Sequence, residues 1–362
     1  MAVREPAWVD AARAIGVAGG SDTADRLDTS DWSRSRLDRT YDAAFANRVE
    51  YFFLQAIGAS STQHPLSGRW RECMERSEQT ARVVVDVDRA LDEAGIDHAI
   101  FKSIKRYPAT PNDTDVLVLG GQSEYRIARQ ALVRHGYIEL GVAPMQTLLA
   151  HPSGAGRVSR DKSGGTYYVD LYRGVAADYF EYVSKEAIAA NLTRRRVGED
   201  MVTAVAPECE LGIVMFHNVF PEKTFHLEHY YQFALELTDP TFDVDRFLAF
   251  VHDNALDYAV ARNVEVMGWL ERRVFGEVSA PIAAVMQSLG RKVRPHGHVA
   301  VLPRSFPATV FWRCFASKLR DPSSRRALGV QARKMMDRQI FIETMRSAWS
   351  RTLGGAEIYA HK

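Results

Sequence analysis

The chain has 362 residues, of which 46% are hydrophobic and 25% charged, and its formal net charge is +1. These values describe an ordinary soluble globular protein with room for two or three domains, and the balanced charge indicates no particular partner. No apolar run reaches the ~20 residues that a membrane span needs, the N-terminus lacks a signal-peptide core, and the cysteines form no C-x-x-C pair. We therefore expect a cytoplasmic protein with reduced thiols and no membrane span.

Residues 1–80 are predicted to form an N-terminal helical segment. Apolar residues recur at three- and four-residue spacing from Trp8 to Ile57, and a stretch rich in Ser, Pro and Gly interrupts the pattern. A second helical pattern runs from Arg69 to Ala94. It stops at Gly95, a residue suited to the left-handed position that follows a helix.

Residues 81–195 alternate between strand and helix patterns. The predicted strands and helix are, in chain order, His98–Phe101, Thr114–Leu119, the helix Ser123–Arg134, Tyr137–Val142 and Thr166–Tyr172. A polar turn with a proline separates the first two strands, and a loop rich in Gly and Ser precedes the last. This order predicts a small α/β unit with a mixed sheet, and with the flanking helices an α+β fold.

Residues 196–362 are predicted to form a C-terminal helical domain. Five segments are apolar at helical spacing and are separated by Pro, Asp or Gly. These segments are Val214–Phe220, His226–Leu237, Val244–Asn254, Ala259–Phe275 and Ala280–Leu289.

The end of the chain is basic. From Arg291 to Arg351 there are 14 Lys or Arg against 3 Asp or Glu, and several aromatic residues lie among them. Such a segment is typical of a surface that binds RNA or another polyanion, because cations contact phosphates and aromatic rings stack on bases. The alternative is that the aromatic residues form the core of terminal helices while the cations face solvent.

Three aspartates suggest chemistry. Asp113 and Asp115 stand at the entrance of a predicted strand, where residues two apart point to the same face. Two carboxylates side by side repel each other unless a cation lies between them, and Mg²⁺ is commonly held by one or two carboxylates plus substrate phosphates. Asp170 stands in the middle of an otherwise apolar strand, where a carboxylate is costly to bury without a partner. Together the three predict a two-metal site.

The order of helix, strand, turn, strand with D-x-D and later strand with a single Asp resembles the nucleotidyltransferase superfamily of the DNA polymerase β type. Within it, the stretch from Gly95 to Val118, closed by D-T-D-V-L-V, is most similar to the minimal, largely uncharacterised nucleotidyltransferase families of bacteria and archaea. The resemblance covers about Leu91 to Gly174. It implies a small mixed-sheet nucleotidyltransferase domain between a helical segment and a helical domain.

The resemblance also implies roles for single residues. Asp113 and Asp115 would bind the metal ions, and Asp170 would complete the site and help to deprotonate the attacking hydroxyl. The family usually has Gly-Gly or Gly-Ser after the first strand, where backbone amides approach the triphosphate, but this chain has Lys102-Ser103. We expect the side chains near this position to bind the phosphates instead: Lys102, Ser103, Lys105 and Arg106.

Three histidines lie in the predicted C-terminal helices. His226 and His229 are one helical turn apart, and His217 lies in the preceding helix. They are candidates for contact with the acceptor or the nucleotide base. The alternatives are a transition-metal site, or histidines packed and hydrogen-bonded among neighbouring aromatic residues.

These features predict a metal-dependent nucleotidyltransferase. It would transfer a nucleoside monophosphate from an NTP such as ATP to an acceptor hydroxyl and release pyrophosphate, with Mg²⁺ or Mn²⁺ as cofactor. Two alternatives stay open. One is an RNA- or tRNA-modifying nucleotidyltransferase that uses the basic C-terminal segment, and the other is a catalytically silent nucleotide-binding module, suggested by the missing glycine at Lys102-Ser103.

Overall fold

The structure of the protein is a computed structural model, and its description covers residues 5–16, 29–111, 113–143, 145–151, 167–177, 180–290, 301–320, 324–326 and 329. These residues belong to two compact units that interleave along the chain. The helical unit comprises the described residues within Met1–Ser77, Lys105–Thr110 and Leu211–Phe311. The sheet unit comprises those within Glu78–Ile104, Pro111–Glu210 and Trp312–Lys362.

The helical unit collects helices from both ends of the chain. Its helices are α1 (Ala7–Ile15), α2 (Arg34–Ala46), α3 (Glu50–Ala56), the start of α4 (Ser67–Glu93), most of α7 (Pro207–Val219), α8 (Leu227–Leu237), α9 (Val244–Asp253), α10 (Asp257–Phe275), α11 (Ala280–Ser288) and the start of α12 (Ala308–Lys318). Short strands β10 (Thr224–Phe225) and β11 (Arg304–Ser305) pair antiparallel. The rings of Trp8 and Trp269, 5.9 Å apart, join the first helix to α10.

The sheet unit is built on a mixed seven-stranded sheet with the order β3-β4-β5-β2-β1-β9-β8. Its strands are β1 (His98–Phe101), β2 (Asp113–Val118), β3 (Ile138–Ala143), β4 (Gln146–Ala150), β5 (Tyr168–Tyr172), β8 (Leu192–Val197) and β9 (Asp200–Val205), with α5 (Gln122–Arg134) after β2 and α6 (Lys185–Ala189) before β8. A separate pair is formed by β6 (Val175–Ala177) and β7 (Phe180–Val183). β2 runs antiparallel to β1 and parallel to β5.

One face of this sheet is apolar and packs on helices. Val116, Val118, Val169 and Leu171 from the two central strands form a buried cluster with Val and Leu residues of α4 and with α5. Because side chains alternate along a strand, the residues between them point to the opposite face. That opposite face carries the aspartates.

Most predicted elements are confirmed. β1 has the predicted bounds, α4 ends next to Gly95, which takes the left-handed conformation with φ 66°, and the five C-terminal segments correspond to α7 to α11. The aspartates of the predicted D-x-D strand lie in β2 as expected. The strands β4 and β6 to β9 and the short helix α6 were not predicted.

The predicted domain boundaries differ from the two units. The boundary at 195/196 falls inside β8, because Leu192–Val197 is an edge strand with alternating exposed and partly exposed side chains and offers no apolar run. The predicted segments 1–80 and 196–362 contribute together to the helical unit. The predicted α+β fold is confirmed by the mixed sheet together with the helices of the chain. Within the described ranges, no helix combines the length and the apolar character that a membrane crossing requires.

Candidate active site

The three predicted aspartates lie on one face of two neighbouring strands. β2 and β5 run parallel, and the register pairs Asp115 with Asp170 and Asp113 with Tyr168. Residues 113 and 115 on β2 therefore share a face with residue 170 on β5, opposite to the packed helices. Asp115 and Asp170 are both buried, with 8% and 4% of their surface exposed, and Asp113 is partly buried at the strand entrance. We call this arrangement of Asp113, Asp115 and Asp170 the acidic face.

Tyr172 interacts with the aspartates of the acidic face. Its hydroxyl donates a hydrogen bond to the carboxylate of Asp115. Burial raises the pKa of Tyr172 well above its ordinary value, and the negative charges of Asp115, Asp170 and Asp113 raise it further. Because Tyr172 stands two residues after Asp170 on β5, it shares the sheet face of Asp113, Asp115 and Asp170.

Lys102 contacts the acidic face directly. Its Nζ lies 3.6 Å from Oδ2 of Asp115, and only 14% of the side chain is exposed. The same ammonium lies 4.7 Å from the ring centre of Phe101 and 5.1 Å from that of Tyr172, so it is held by one carboxylate and two aromatic faces. The backbone at Lys102 is left-handed, with φ 63°, a conformation that glycine adopts without strain and lysine rarely takes.

Ser103 connects the end of β1 to β2. Its hydroxyl donates to the carbonyl of Phe101 at 3.2 Å and accepts a hydrogen bond from the amide of Asp115 at 2.8 Å. A hydroxyl has a single proton to donate, and here the Phe101 carbonyl takes it. Ser103 therefore positions Asp115, and it cannot donate to a phosphate while this bond is made.

Lys105 and Arg106 belong to the helical unit, where carboxylates match their charges. Nζ of Lys105 lies 3.0 Å from Oε1 of Glu228 and 2.8 Å from Oε1 of Gln232. Arg106 pairs with Asp239 and, at 3.4 Å, with Glu236. The turn after Ser103 is thus anchored on α8 by the residues that the sequence had suggested as phosphate ligands, and their role in binding phosphate stays a prediction.

Glu228 is the centre of what we call the ion-pair cluster, formed by Arg48, Lys105 and Glu228. Arg48 Nη1 lies 3.5 Å from Glu228 Oε2, on the other side of the carboxylate from Lys105. Burial alone would raise the pKa of Glu228, but the charges of Lys105 and Arg48 outweigh it and hold the pKa well below its usual range. This carboxylate stays ionised because two cations surround it.

The predicted histidines also lie in the helical unit. His226 is buried, and its Nδ1 lies 3.1 Å from the carbonyl oxygen of Ala46, while Nδ1 of His229 accepts from the amide of His226 at 3.0 Å. Burial lowers the pKa of His226 to about 4 and that of His229 well below its ordinary value, so both are neutral near pH 7. His217 lies 3.8 Å from Glu222. These contacts match a packed, hydrogen-bonded role, and contact with an acceptor or base stays a prediction.

The basic segment Arg291 to Arg351 lies mostly outside the described residues. Within this segment, Arg325 and Arg326 are described and exposed, whereas Arg333 and Lys334 are not described. Binding of RNA or another polyanion through this segment therefore stays a prediction.

The donor atoms of the acidic face suit a hard divalent cation. Carboxylate oxygens are the ligands of Mg²⁺, which typically takes one or two of them and completes its shell with water and substrate phosphates. Among the residues that the structure describes, no group of three or more His, Cys, Asp or Glu side chains is arranged to hold a metal ion. The predicted two-metal site of Asp113, Asp115 and Asp170 stays a prediction.

Tyr172 and Phe101 were not recognised as site residues from the sequence. Tyrosine and phenylalanine are ordinary strand residues, and their rings gave no separate signal. A usable signal did exist for Tyr172, because it stands two residues after Asp170 on the same strand and must share its face.

Comparison with known proteins gives little beyond this geometry. No family model matches the chain, and no curated protein matches it. One matching solved structure is the crystal structure of an antigenic nucleotidyltransferase-like protein from Paracoccidioides brasiliensis, with 14% sequence identity and a TM-score of 0.35. The match covers 58% of this chain and 97% of that chain. At this level of similarity the fold assignment rests on the sheet itself.

Proposed function

We propose that the sheet unit is a metal-dependent nucleotidyltransferase that transfers a nucleoside monophosphate from an NTP to an acceptor hydroxyl. The observation that carries this proposal is the register of β2 and β5, which pairs Asp115 with Asp170 on the face opposite to the helices. Burying like charges as neighbours is unfavourable for folding, so such an arrangement favours a functional role. The resemblance of the β1–β2 stretch to minimal nucleotidyltransferases is consistent with that role.

The chemistry assigns each residue a task. Asp113 and Asp115 would hold the divalent metal that binds the triphosphate, and Asp170 would complete the site and help to deprotonate the attacking hydroxyl. A bond forms between the acceptor oxygen and the α-phosphorus as the bond to the β-phosphate oxygen breaks, and pyrophosphate leaves. A divalent metal bound there would lower the pKa of the acceptor hydroxyl and neutralise charge on the leaving group. Ser103 keeps Asp115 in place through its bond to the Asp115 amide.

Loss of a single carboxylate tests the proposal. The protein is incubated with each labelled NTP, Mg²⁺ or Mn²⁺ and a cell extract, and consumption of NTP and labelling of products are followed. We expect Asp115→Asn to lower transfer on the order of 10³-fold, because it removes a carboxylate ligand of the metal that would neutralise charge on the reacting phosphates. The matched control is Asp97→Asn, an exposed aspartate of the same unit, which should keep full activity. Equal turnover in the wild type and Asp115→Asn would overturn the proposal.

A second candidate function is nucleotide binding without turnover. It is favoured by the position of Ser103, whose hydroxyl proton is taken by the Phe101 carbonyl, and by the ammonium of Lys102 next to Asp115. Under this alternative an NTP binds in the presence of Mg²⁺, but no pyrophosphate is released with any acceptor pool. The same labelled-NTP assay, read for both binding and pyrophosphate, separates the two functions.

A further inference from the structure

Lys102 already supplies the cation that the acidic face needs. Asp115 and Asp170 are neighbours on adjacent strands, and two adjacent carboxylates are stabilised by a positive charge close to them. The ammonium of Lys102 stands 3.6 Å from Asp115 Oδ2. A divalent ion that used this carboxylate would meet a positive charge next to its ligand.

The position of this ammonium is built into the backbone. Lys102 adopts φ 63°, and the residues on both sides are fixed: the carbonyl of Phe101 accepts from Ser103, and the Ser103 hydroxyl accepts from the Asp115 amide. The aromatic faces of Phe101 and Tyr172 border the ammonium on its remaining sides. A lysine with a positive φ, bordered by two rings and one carboxylate, favours a functional role for this contact.

We propose that Lys102 is a built-in counter-ion of Asp115 that competes with free divalent metal and yields to a metal–nucleotide complex. This inference rests on the function proposed above and concerns how the same site selects its substrate. Free metal would have to displace the ammonium and leave it between two rings without an anion. A metal that arrives with a triphosphate brings phosphate oxygens, with which the ammonium pairs instead. The substrate is therefore the metal complex of a nucleoside triphosphate, taken up as one species.

Metal binding without nucleotide tests this inference. Free Mn²⁺ is counted by electron paramagnetic resonance during titration of the full-length protein, with no NTP present. We expect Lys102→Met to bind Mn²⁺ at least about tenfold more tightly than the wild type. In the wild type the ammonium next to Asp115 repels a divalent ion, and the low dielectric of the protein strengthens this repulsion. Lys102→Arg keeps the charge and should bind as weakly as the wild type.

Two controls assign the effect to this site. Asp115→Asn combined with Lys102→Met should lose the tight binding, since the ligand is gone. Arg126→Met removes one positive charge from an exposed position of α5 and should leave the affinity unchanged. Lys102→Gly serves as a second variant if Lys102→Met folds poorly, because glycine adopts a positive φ freely. It should bind Mn²⁺ as tightly as Lys102→Met.

The outcomes separate this inference from the proposed function. Unchanged Mn²⁺ affinity in both Lys102→Met and Lys102→Gly overturns the inference, as does an equal gain in Arg126→Met. If Lys102→Met binds Mn²⁺ through Asp115 but the wild type turns over no NTP, the counter-ion role stands and the transferase fails. If the wild type transfers nucleotides while the Lys102 variants bind metal like the wild type, the transferase stands and the counter-ion role fails.

Discussion

The acidic face and the ion-pair cluster use the same side-chain chemistry in opposite ways. In the ion-pair cluster one carboxylate, Glu228, lies between two cations at 3.0 and 3.5 Å. On the acidic face two buried aspartates are paired in register, and one ammonium lies 3.6 Å from the carboxylate of Asp115. Arg48 also lies 3.8 Å from Oε1 of Glu222, so the two cations of the cluster face two carboxylates, whereas the acidic face gathers an excess of negative charge. A matched group of charges stabilises a structure, and an unbalanced one is suited to a ligand of the missing sign.

The first prediction has the largest expected effect and concerns the free energy of unfolding when the ion-pair cluster loses its central carboxylate. Glu228→Gln keeps the shape of the side chain but leaves Lys105 and Arg48 facing a neutral amide. We expect the free energy of unfolding to fall by about 4 kcal/mol, the cost of breaking a buried ion pair from one side. Urea unfolding of the wild type and the variant measures it.

Glu277→Gln is the matched control for this change. Glu277 is exposed in the same unit, and its replacement should shift the free energy of unfolding by less than about 0.5 kcal/mol. If Glu228→Gln were as stable as Glu277→Gln, the cluster would not be a stabilising element, and the distinction between the two regions would disappear.

The two regions were predicted from the sequence to different degrees. The spacing of Asp113 and Asp115 and the apolar pattern of β5 are local signals, so the sequence placed all three aspartates on strands, and the structure brings them to one face. Lys105 and Arg106, charged residues near the turn, are predicted from the sequence to bind phosphate. Their partners Glu228 and Glu236 lie on α8, far along the chain. No local sequence pattern predicts an ion pair with such a distant helix.

The unpredicted parts of the fold have a similar cause. β8 carries three consecutive arginines, Arg194, Arg195 and Arg196, and forms a strand because its backbone pairs with β9. Edge strands have little apolar content, so hydrophobic periodicity does not detect them. The conformation of Lys102 was likewise not predictable, because lysine rarely adopts a positive φ and its side chain gives no local signal for one.

The second prediction concerns the pH dependence of the helical unit. The pKa of His226 is about 4 in the folded protein against an ordinary value of 6.5. Between these values the unfolded chain binds a proton that the folded protein does not, so protonation favours unfolding and stability falls as the pH falls from 6.5 to 4. His226 alone should account for a loss of about 3 kcal/mol over this range.

His226→Asn tests this dependence, because the amide can still donate to the Ala46 carbonyl but does not titrate. Urea unfolding at several pH values should give a flatter curve for this variant than for the wild type. His252→Asn is the control, since the His252 side chain is 81% exposed, and its curve should follow the wild type. A slope that is unchanged in His226→Asn would contradict the assignment.

The third prediction has the smallest expected effect and concerns the stability of the acidic face. Asp170→Asn is the same kind of isosteric exchange as Glu228→Gln, but it removes one of two like charges from neighbouring strands. We expect the free energy of unfolding to stay equal or to rise by up to about 1 kcal/mol, because relief of repulsion from Asp115 offsets the weaker hydrogen bonds of an amide. Asp200→Asn, at an exposed position of the same sheet, controls for a general effect of lost negative charge. A loss of stability near that of Glu228→Gln would make Asp170 a structural residue. A gain in stability beyond that of Asp200→Asn would show that Asp115 and Asp170 repel each other in the folded protein, as expected of carboxylates kept for binding a ligand.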